Sequence, residues 1–336
     1  MGRIAGIVAL SLALLAGYAV ADDDDFIMGN YHGQFDTDAW QTRTLRAEVA
    51  ATAKLRYRAV FHVGGEGLDT QRVEITGRRN REEDKHAVFS GEADLGEALG
   101  GEYVVEGRIE NETFTGTFKG KGRRAQTAPF TLKRVFLEPP TRGMAPPDGA
   151  IVLMDGKNMD AWHTLPHWQL LGDGSAQVVP TNLVSKEEFG DALIHVEFLI
   201  PFMPNASGQA RGNSGVYVQG RYEVQVLDSF GDLPMDNLCG GIYKKAVPLV
   251  CASLPPLQWQ TYDITFRAPR FDANGNKIQH AEITVVHNGI TIHDNVILDG
   301  VTAGGVSAEE ASVGVLMLQD HGDPVRFRNI WVKPLD

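Results

Sequence analysis

The chain has 336 residues, 43% of them hydrophobic and 22% charged, which is enough for two modules with cores of their own. A formal net charge of −12 argues against holding a nucleic-acid backbone or an anionic membrane surface through a net field, and is neutral on an uncharged sugar ligand. Two cysteines are too few for a metal site built on cysteine clusters.

In chain order, residues 1–21 read as an export signal. Arg3 gives a positive start, Ile4–Ala16 an apolar run too short to span a bilayer comfortably, and Ala19-Val-Ala21 a cleavage site directly before Asp22. The expectation is an exported protein beginning at Asp22. No lipobox cysteine offers a lipid anchor, and no later apolar segment offers membrane insertion. Export puts Cys239 and Cys251 in an oxidising compartment, so a disulfide closing the loop between them is expected, with two buried free thiols as the alternative.

Residues 22–138 carry short alternating runs at Leu55–Phe61, Gln71–Ile75, His86–Phe89, Tyr103–Gly107, Thr113–Phe118 and Pro129–Val135, separated by Gly, Asn and charged turn clusters. That spacing predicts a β-meander closed into a small barrel or sandwich. Leu45–Leu55 is Ala-rich like a helix, yet it flows into the strand pattern without a break. No His, Cys or carboxylate cluster gathers in this stretch, which marks a structural or glycan-contacting accessory module.

Residues 139–149 hold four prolines and two glycines in eleven positions, so they read as a linker that cannot enter a sheet interior. Strand patterns return over residues 150–336, at Ala176–Val179, Ala192–Phe198, Gly215–Val218, Tyr222–Leu227, Gln260–Arg267, Ala281–His287, Val313–Gln319 and Val325–Val332. Asn288-Gly289 is a strong two-residue hairpin signal. Many strands with almost no helical period predict an antiparallel sandwich.

Five ordered blocks within this half carry a resemblance: Leu153-Met-Asp-Gly-Lys-Asn-Met-Asp-Ala-Trp162, Phe189–Phe198, Asn213-Ser-Gly-Val with Gly220–Ser229, Cys239–Tyr243 with Trp259–Tyr262, and Gly314–Ile330 with its Leu-Gln-Asp-His-Gly run. Together they resemble the DUF1080 family, the 3-keto-disaccharide hydrolase domain. The resemblance implies a concanavalin-like jelly roll and hydrolysis of keto-sugar glycosides. Two departures stand out: Met154 where Phe is usual, and Val196-Glu-Phe198 where a Glu-Trp pair is usual, which leaves no Trp to stack there.

Alternation along strands sorts the polar residues into rows. Arg221, Glu223 and Gln225 share one face, His195 and Glu197 another, and Gln319 and His321 a third. Were these strands neighbours, three rows would meet in one groove with Asn213 beside it. A carbonyl at C3 of a sugar acidifies the C2 proton, so a base can remove it and expel the glycosidic oxygen from C1, after which water adds. Glu223 is the expected base, Arg221 or a divalent metal the partner of the enolate, and His321 the acid, with Asn213, Gln225, Gln319 and His195 binding substrate. His195, Glu197, Glu223 and His321 are competent metal ligands, so the metal question stays open. Two other readings remain: a direct glycosidase using Glu197 and Glu223 as its two carboxylates, and a non-catalytic carbohydrate-binding protein.

Overall fold

The computed structural model describes residues 25–65, 68–96, 100–122, 126–163 and 168–335. The export signal expected at residues 1–21 lies outside them. Eight antiparallel strands come first: β1 (Gly29–Phe35), β2 (Arg43–Ala53), β3 (Arg56–Gly65), β4 (Leu68–Arg78), β5 (His86–Asp94), β6 (Glu102–Glu110), β7 (Thr113–Gly120) and β8 (Thr127–Val135). Each pairs with the next, and β8 also returns to β1, so the sheet closes into a barrel. The alternating residues Tyr31, Phe35, Phe61, Phe114, Phe118 and Phe130 fill its interior. Their rings meet edge to face, as in Phe35–Phe118 with centroids 5.5 Å apart. The interior is therefore a packed core rather than a ligand chamber. The Ala-rich stretch is strand β2. Leu45, Ala47, Val49 and Ala51 point inward at period two, against the large rings.

Thirteen strands follow: β9 (Ile151–Met154), β10 (Ala176–Gln177), β11 (Leu183–Phe189), β12 (Ala192–Leu199), β13 (Ser214–Val218), β14 (Tyr222–Val226), β15 (Trp259–Arg267), β16 (Arg270–Phe271), β17 (Lys277–Gln279), β18 (Ala281–His287), β19 (Ile290–Leu298), β20 (Gly314–Leu318) and β21 (Arg326–Pro334). They form a large sheet ordered β10-β21-β12-β15-β18-β19, with β9 also on β21, a four-stranded sheet ordered β11-β20-β13-β14, and a short β16–β17 ribbon. Ile194, Val196 and Phe198 of the large sheet share one buried cluster with Val216, Val218, Val224, Val226, Leu316 and Leu318 of the small one. Two sheets closed over a common apolar layer make a sandwich. The fold is nearly all β, a barrel followed by this sandwich, as the strand patterning implies. Among the described residues no helix is long and apolar enough to cross a membrane.

Once the inward faces are assigned, strand alternation fixes the outward ones. His195 and Glu197 belong to the outer face of the large sheet; Tyr217, Glu223 and Gln225 belong to the outer face of the small one. The Pro-rich segment 139–149 does not hang free. Thr141 Oγ1 donates to Asp263 Oδ2 (2.6 Å), the Gly143 N–H donates to Glu197, and the Met144 carbonyl accepts from Asn329 Nδ2 (3.1 Å). It lies as a strap over the large sheet.

The expected disulfide is absent, and both cysteines are free thiols. Each sulfur has a different partner: Cys239 Sγ lies 3.2 Å from the Tyr262 hydroxyl, and Cys251 Sγ donates to the Ser229 carbonyl at 3.3 Å.

Candidate functional site

The outer face of the small sheet is built from the β13–β14 hairpin. Its turn is Gln219-Gly220-Arg221, so Val218 pairs with Tyr222, Tyr217 with Glu223, and Gly215 with Gln225. Tyr217 also pairs with Met317 of β20, and the Gln319 N–H donates to the Gly215 carbonyl (2.9 Å), which brings a third strand into the same row. Loops cover this face. Thr302 Oγ1 accepts the Glu223 N–H at 2.9 Å, and the Tyr243 N–H donates to the Glu223 carbonyl at 3.2 Å. What stays open is a small cavity of about 130 Å³, lined by Gln209, Asn213, Tyr217, Glu223, Gln225, Tyr243, Ala303, Gly304, Gln319 and His321.

Glu223 is its centre. The side chain is buried, and burial pushes its carboxyl up to about 7 against the opposing pull of the Tyr217 hydrogen bond. The Tyr217 hydroxyl stands 2.8 Å from Glu223 Oε2, 2.8 Å from the Ala303 carbonyl and 3.1 Å from Gln319 Nε2. Burial and the neighbouring Glu223 carboxylate hold that phenol protonated far above neutrality. Two glycines make room. A Cβ on Gly215 would stand 2.6 Å from Glu223 Oε1, and one on Gly304, whose φ is +82°, 2.7 Å from the Tyr217 hydroxyl. Neither position tolerates a side chain without moving the pair.

The remaining lining is rich in unused acceptors. The amide oxygens of Asn213, Gln225 and Gln319 are all buried without a hydrogen-bond partner. Asn213 is oriented by its Nδ2, which donates to the Gln209 carbonyl at 2.7 Å. Buried acceptors without donors are costly, so this arrangement favours a ligand that brings hydroxyl donors. The same oxygens with Glu223 are also of the hard type that a divalent cation takes. Among the described residues no group of three or more His, Cys, Asp or Glu side chains stands together as a metal site. His321, exposed after β20, closes the rim, and the nearby Asp323 takes the Asn213 N–H at 2.7 Å.

Of the residues singled out in the sequence, Glu223, His321, Gln225, Asn213 and Gln319 come together here. Three do not. Arg221 lies in the turn rather than in β14, so strand parity does not extend to it. Its guanidinium donates to the carbonyls of Glu309 (2.6 Å), Gln219 (2.9 Å) and Val313 (3.3 Å), which makes it a clamp on neighbouring loops instead of an enolate partner. His195 and Glu197 are on the other sheet, on the opposite side of the sandwich, sealed beneath the strap.

There Glu197 accepts from Arg328 Nε (2.7 Å), Asn329 Nδ2 (2.9 Å) and the Gly143 N–H, and His195 Nδ1 lies 2.6 Å from Asp263 Oδ1. The His195 ring stacks on Trp331 with centroids 5.3 Å apart. Burial alone would raise the Glu197 carboxyl, but His195 and these donors outweigh it and bring it down to about 2. Burial alone would lower the His195 pKa, but Asp263 and Glu197 outweigh it, so the net shift is upward. This is an ion cluster that fastens the strap. Glu197 and Glu223 therefore cannot act as two carboxylates on one bond, and His195, Glu197, Glu223 and His321 cannot share one metal ion.

Tyr217 and Gln209 were not singled out from the sequence. Tyr217 was within reach, because the three-residue turn at Gly220 places it directly opposite Glu223. Gln209 comes from the single-turn 3-10 helix Gly208–Ala210, too short for a periodicity to report a side-chain direction.

The family profile of the 3-keto-alpha-glucoside-1,2-lyase-like domain matches residues 149–333. Among solved structures, a candidate glycosyl hydrolase from Parabacteroides distasonis ATCC 8503, at 2.13 Å resolution, is 36% identical with a TM-score of 0.52, over 56% of this chain and 85% of that one. A second candidate glycosyl hydrolase from the same organism, at 1.70 Å resolution, is 18% identical with a TM-score of 0.42, over 56% of this chain and 95% of that one. No curated protein matches the chain.

Proposed function

The chain belongs to the 3-keto-alpha-glucoside-1,2-lyase-like family, and on that premise we propose that it cleaves the glycosidic bond of 3-keto-disaccharides or related keto-glycosides by elimination and hydration. One observation carries the reading. Among the described residues lining the cavity, Glu223 is the only carboxyl group, and it is a buried one brought to about 7. A direct glycosidase needs two carboxylates flanking the bond. An elimination next to a ketone needs one base, whose pKa works best near the operating pH.

In this mechanism the Glu223 carboxylate takes the C2 proton, and the electron pair of that bond moves toward the C3 carbonyl as an enolate. The enolate collapses to a C1–C2 double bond as the C1–oxygen bond breaks, and the leaving oxygen takes a proton from His321. Water adds at C1, C2 regains a proton, and the net result is hydrolysis. Arg221 is not available to the enolate. The Tyr217 hydroxyl, 2.8 Å from Glu223 Oε2, is the neutral donor beside the base. Once Glu223 has taken the proton, the one hydrogen of the phenol is released to turn from the Ala303 carbonyl to the oxyanion. Asn213, Gln225 and Gln319 supply acceptors for sugar hydroxyls. A divalent cation on these oxygens would supply the same enolate stabilisation. Export through residues 1–21 belongs to the same proposal, since a sugar outside the cell is then the substrate.

The test uses a 3-keto-disaccharide and its parent sugar side by side in deuterated water. Cleavage of the ketone alone, with deuterium entering at C2 of the released keto sugar, is the expected result. Equal cleavage of both, with no label at C2, would sink the elimination mechanism.

A further inference from the structure

One guanidinium joins the cavity to the barrel. Arg211 sits in the chain between Gln209 and Asn213, which both line the cavity. Its Nε donates to Asp228 Oδ2 at 2.6 Å, and its Nη2 reaches across to the Ala51 carbonyl of β2 at 2.7 Å. Asp228 lies just beyond β14, the strand of Glu223 and Gln225, and its N–H returns to the Arg211 carbonyl at 3.1 Å. Gln209 Nε2 in turn donates to the Asn237 carbonyl at 2.7 Å. The same two loops receive further ties from the barrel. Asn205 Oδ1 accepts the Lys54 N–H (3.1 Å), Arg58 pairs with Asp232 (2.5 Å), Arg72 donates to the Gly231 carbonyl (2.7 Å), and Phe202 packs on the barrel core. All of these land on residues 202–211 and 228–232, the segments that enter β13 and leave β14.

We propose that the barrel is a working part of the Glu223 site, and that Arg211 is the positioning residue through which it fixes Asn213 and Gln209 for substrate binding. The proposal rests on the Glu223 cavity being the reaction site. A planar guanidinium presents several donors in a fixed fork and can serve Asp228 and Ala51 at once; an ammonium on a lysine stem cannot hold both in that geometry. Removing the charge outright would leave buried Asp228 unpaired and endanger the fold. Lysine is therefore the informative substitution, because it keeps the charge beside Asp228 and gives up the tie to β2.

The experiment is R211K in the full-length protein, with N205A as a second variant at an exposed position. Amide hydrogen exchange at Asn213 reports the loop without any substrate, and kinetics on 4-nitrophenyl 3-keto-glucoside report binding and turnover. For R211K, exchange at Asn213 rises and KM rises about 2- to 10-fold, the scale of one net hydrogen bond, with kcat within about 2-fold of wild type. N205A moves both quantities the same way by less. Wild-type exchange and wild-type KM in R211K would overturn the proposal, and faster exchange with unchanged KM would overturn the role in binding. A wild-type protein inactive on every keto-glycoside defeats the reading of the Glu223 site, while the exchange data still decide whether the barrel holds the cavity wall.

Discussion

Tyr217 and Glu223 face each other across the β13–β14 pair, and the phenol carries one hydrogen for two acceptors: Glu223 Oε2 and the Ala303 carbonyl, each at 2.8 Å. With Gln319 Nε2 already donating to the phenol oxygen, the contacts close in two ways. When Glu223 is ionised, Tyr217 donates to it. When Glu223 is protonated, the acid donates to Tyr217, which then donates to Ala303. Both states are hydrogen-bonded, so Glu223 can gain or lose its proton without rearranging the strands.

Substituting Glu223 by Gln separates stability from activity. Because burial raises this carboxyl from 4.5 to about 7, the folded state binds more protons than the unfolded one between those values, and stability falls as pH rises through that window. The full difference is worth about 3 kcal/mol. E223Q should therefore melt higher than wild type at pH 8 and close to it at pH 4, while turnover drops on the order of 10²–10⁴-fold. Thermal melts at the two pH values check the first part. A variant less stable at pH 8 would contradict it.

Glu197 predicts the opposite pattern. Its carboxyl, lowered to about 2, contributes stability above 4.5 that is lost as pH falls toward 2. Breaking this buried cluster with E197A should cost about 3–5 kcal/mol. The surviving folded protein should keep kcat close to wild type, because Glu197 lies on the far sheet. A selective loss of kcat with an unchanged melting temperature would bring Glu197 back as a catalytic group.

These two glutamates also show how far the sequence could be read. Period-two alternation gave the strands, the sandwich and the correct parity of both residues, since a strand with one buried face leaves no freedom in which side chains point out. It could not tell which sheet each strand joins, because β12 and β14 are brought into separate sheets by contacts distant in sequence. Arg221 was misplaced for a local reason: the turn extends one residue further than the alternation suggested. The strap was legible as proline-rich, but its docking depends on hydrogen bonds donated by Thr141 and Gly143 and accepted by Met144 that composition does not encode.

The cysteines give a direct chemical check. Both side chains are free, and burial pushes the Cys251 thiol up to about 11, so neither forms a ready thiolate at neutral pH. The unreduced protein should have the same mass as the reduced one, and a thiol reagent should react slowly when the protein is folded and with two equivalents in denaturant. A mass lower by two hydrogens would establish the disulfide instead.

Tyr217→Phe tests the shared hydrogen bond. The ring is buried and remains in place, so the fold should persist with a modest loss for the partners left by the hydroxyl. The Tyr217 hydrogen bond opposes burial at Glu223; without it the carboxyl rises further, because a lost donor disfavours the ionised form. A base must be ionised to take the C2 proton, so kcat/KM on a 3-keto-glycoside rises with pH through about 7 in wild type. In Y217F that rise should move to higher pH. If the phenol also donates to the developing enolate oxygen, the plateau at high pH should fall on the order of 10²-fold. The pH–rate profile separates the two roles: a shifted limb with an unchanged plateau assigns Tyr217 to tuning Glu223 alone, and a limb that stays in place shows that Glu223 is not the group titrating in the reaction.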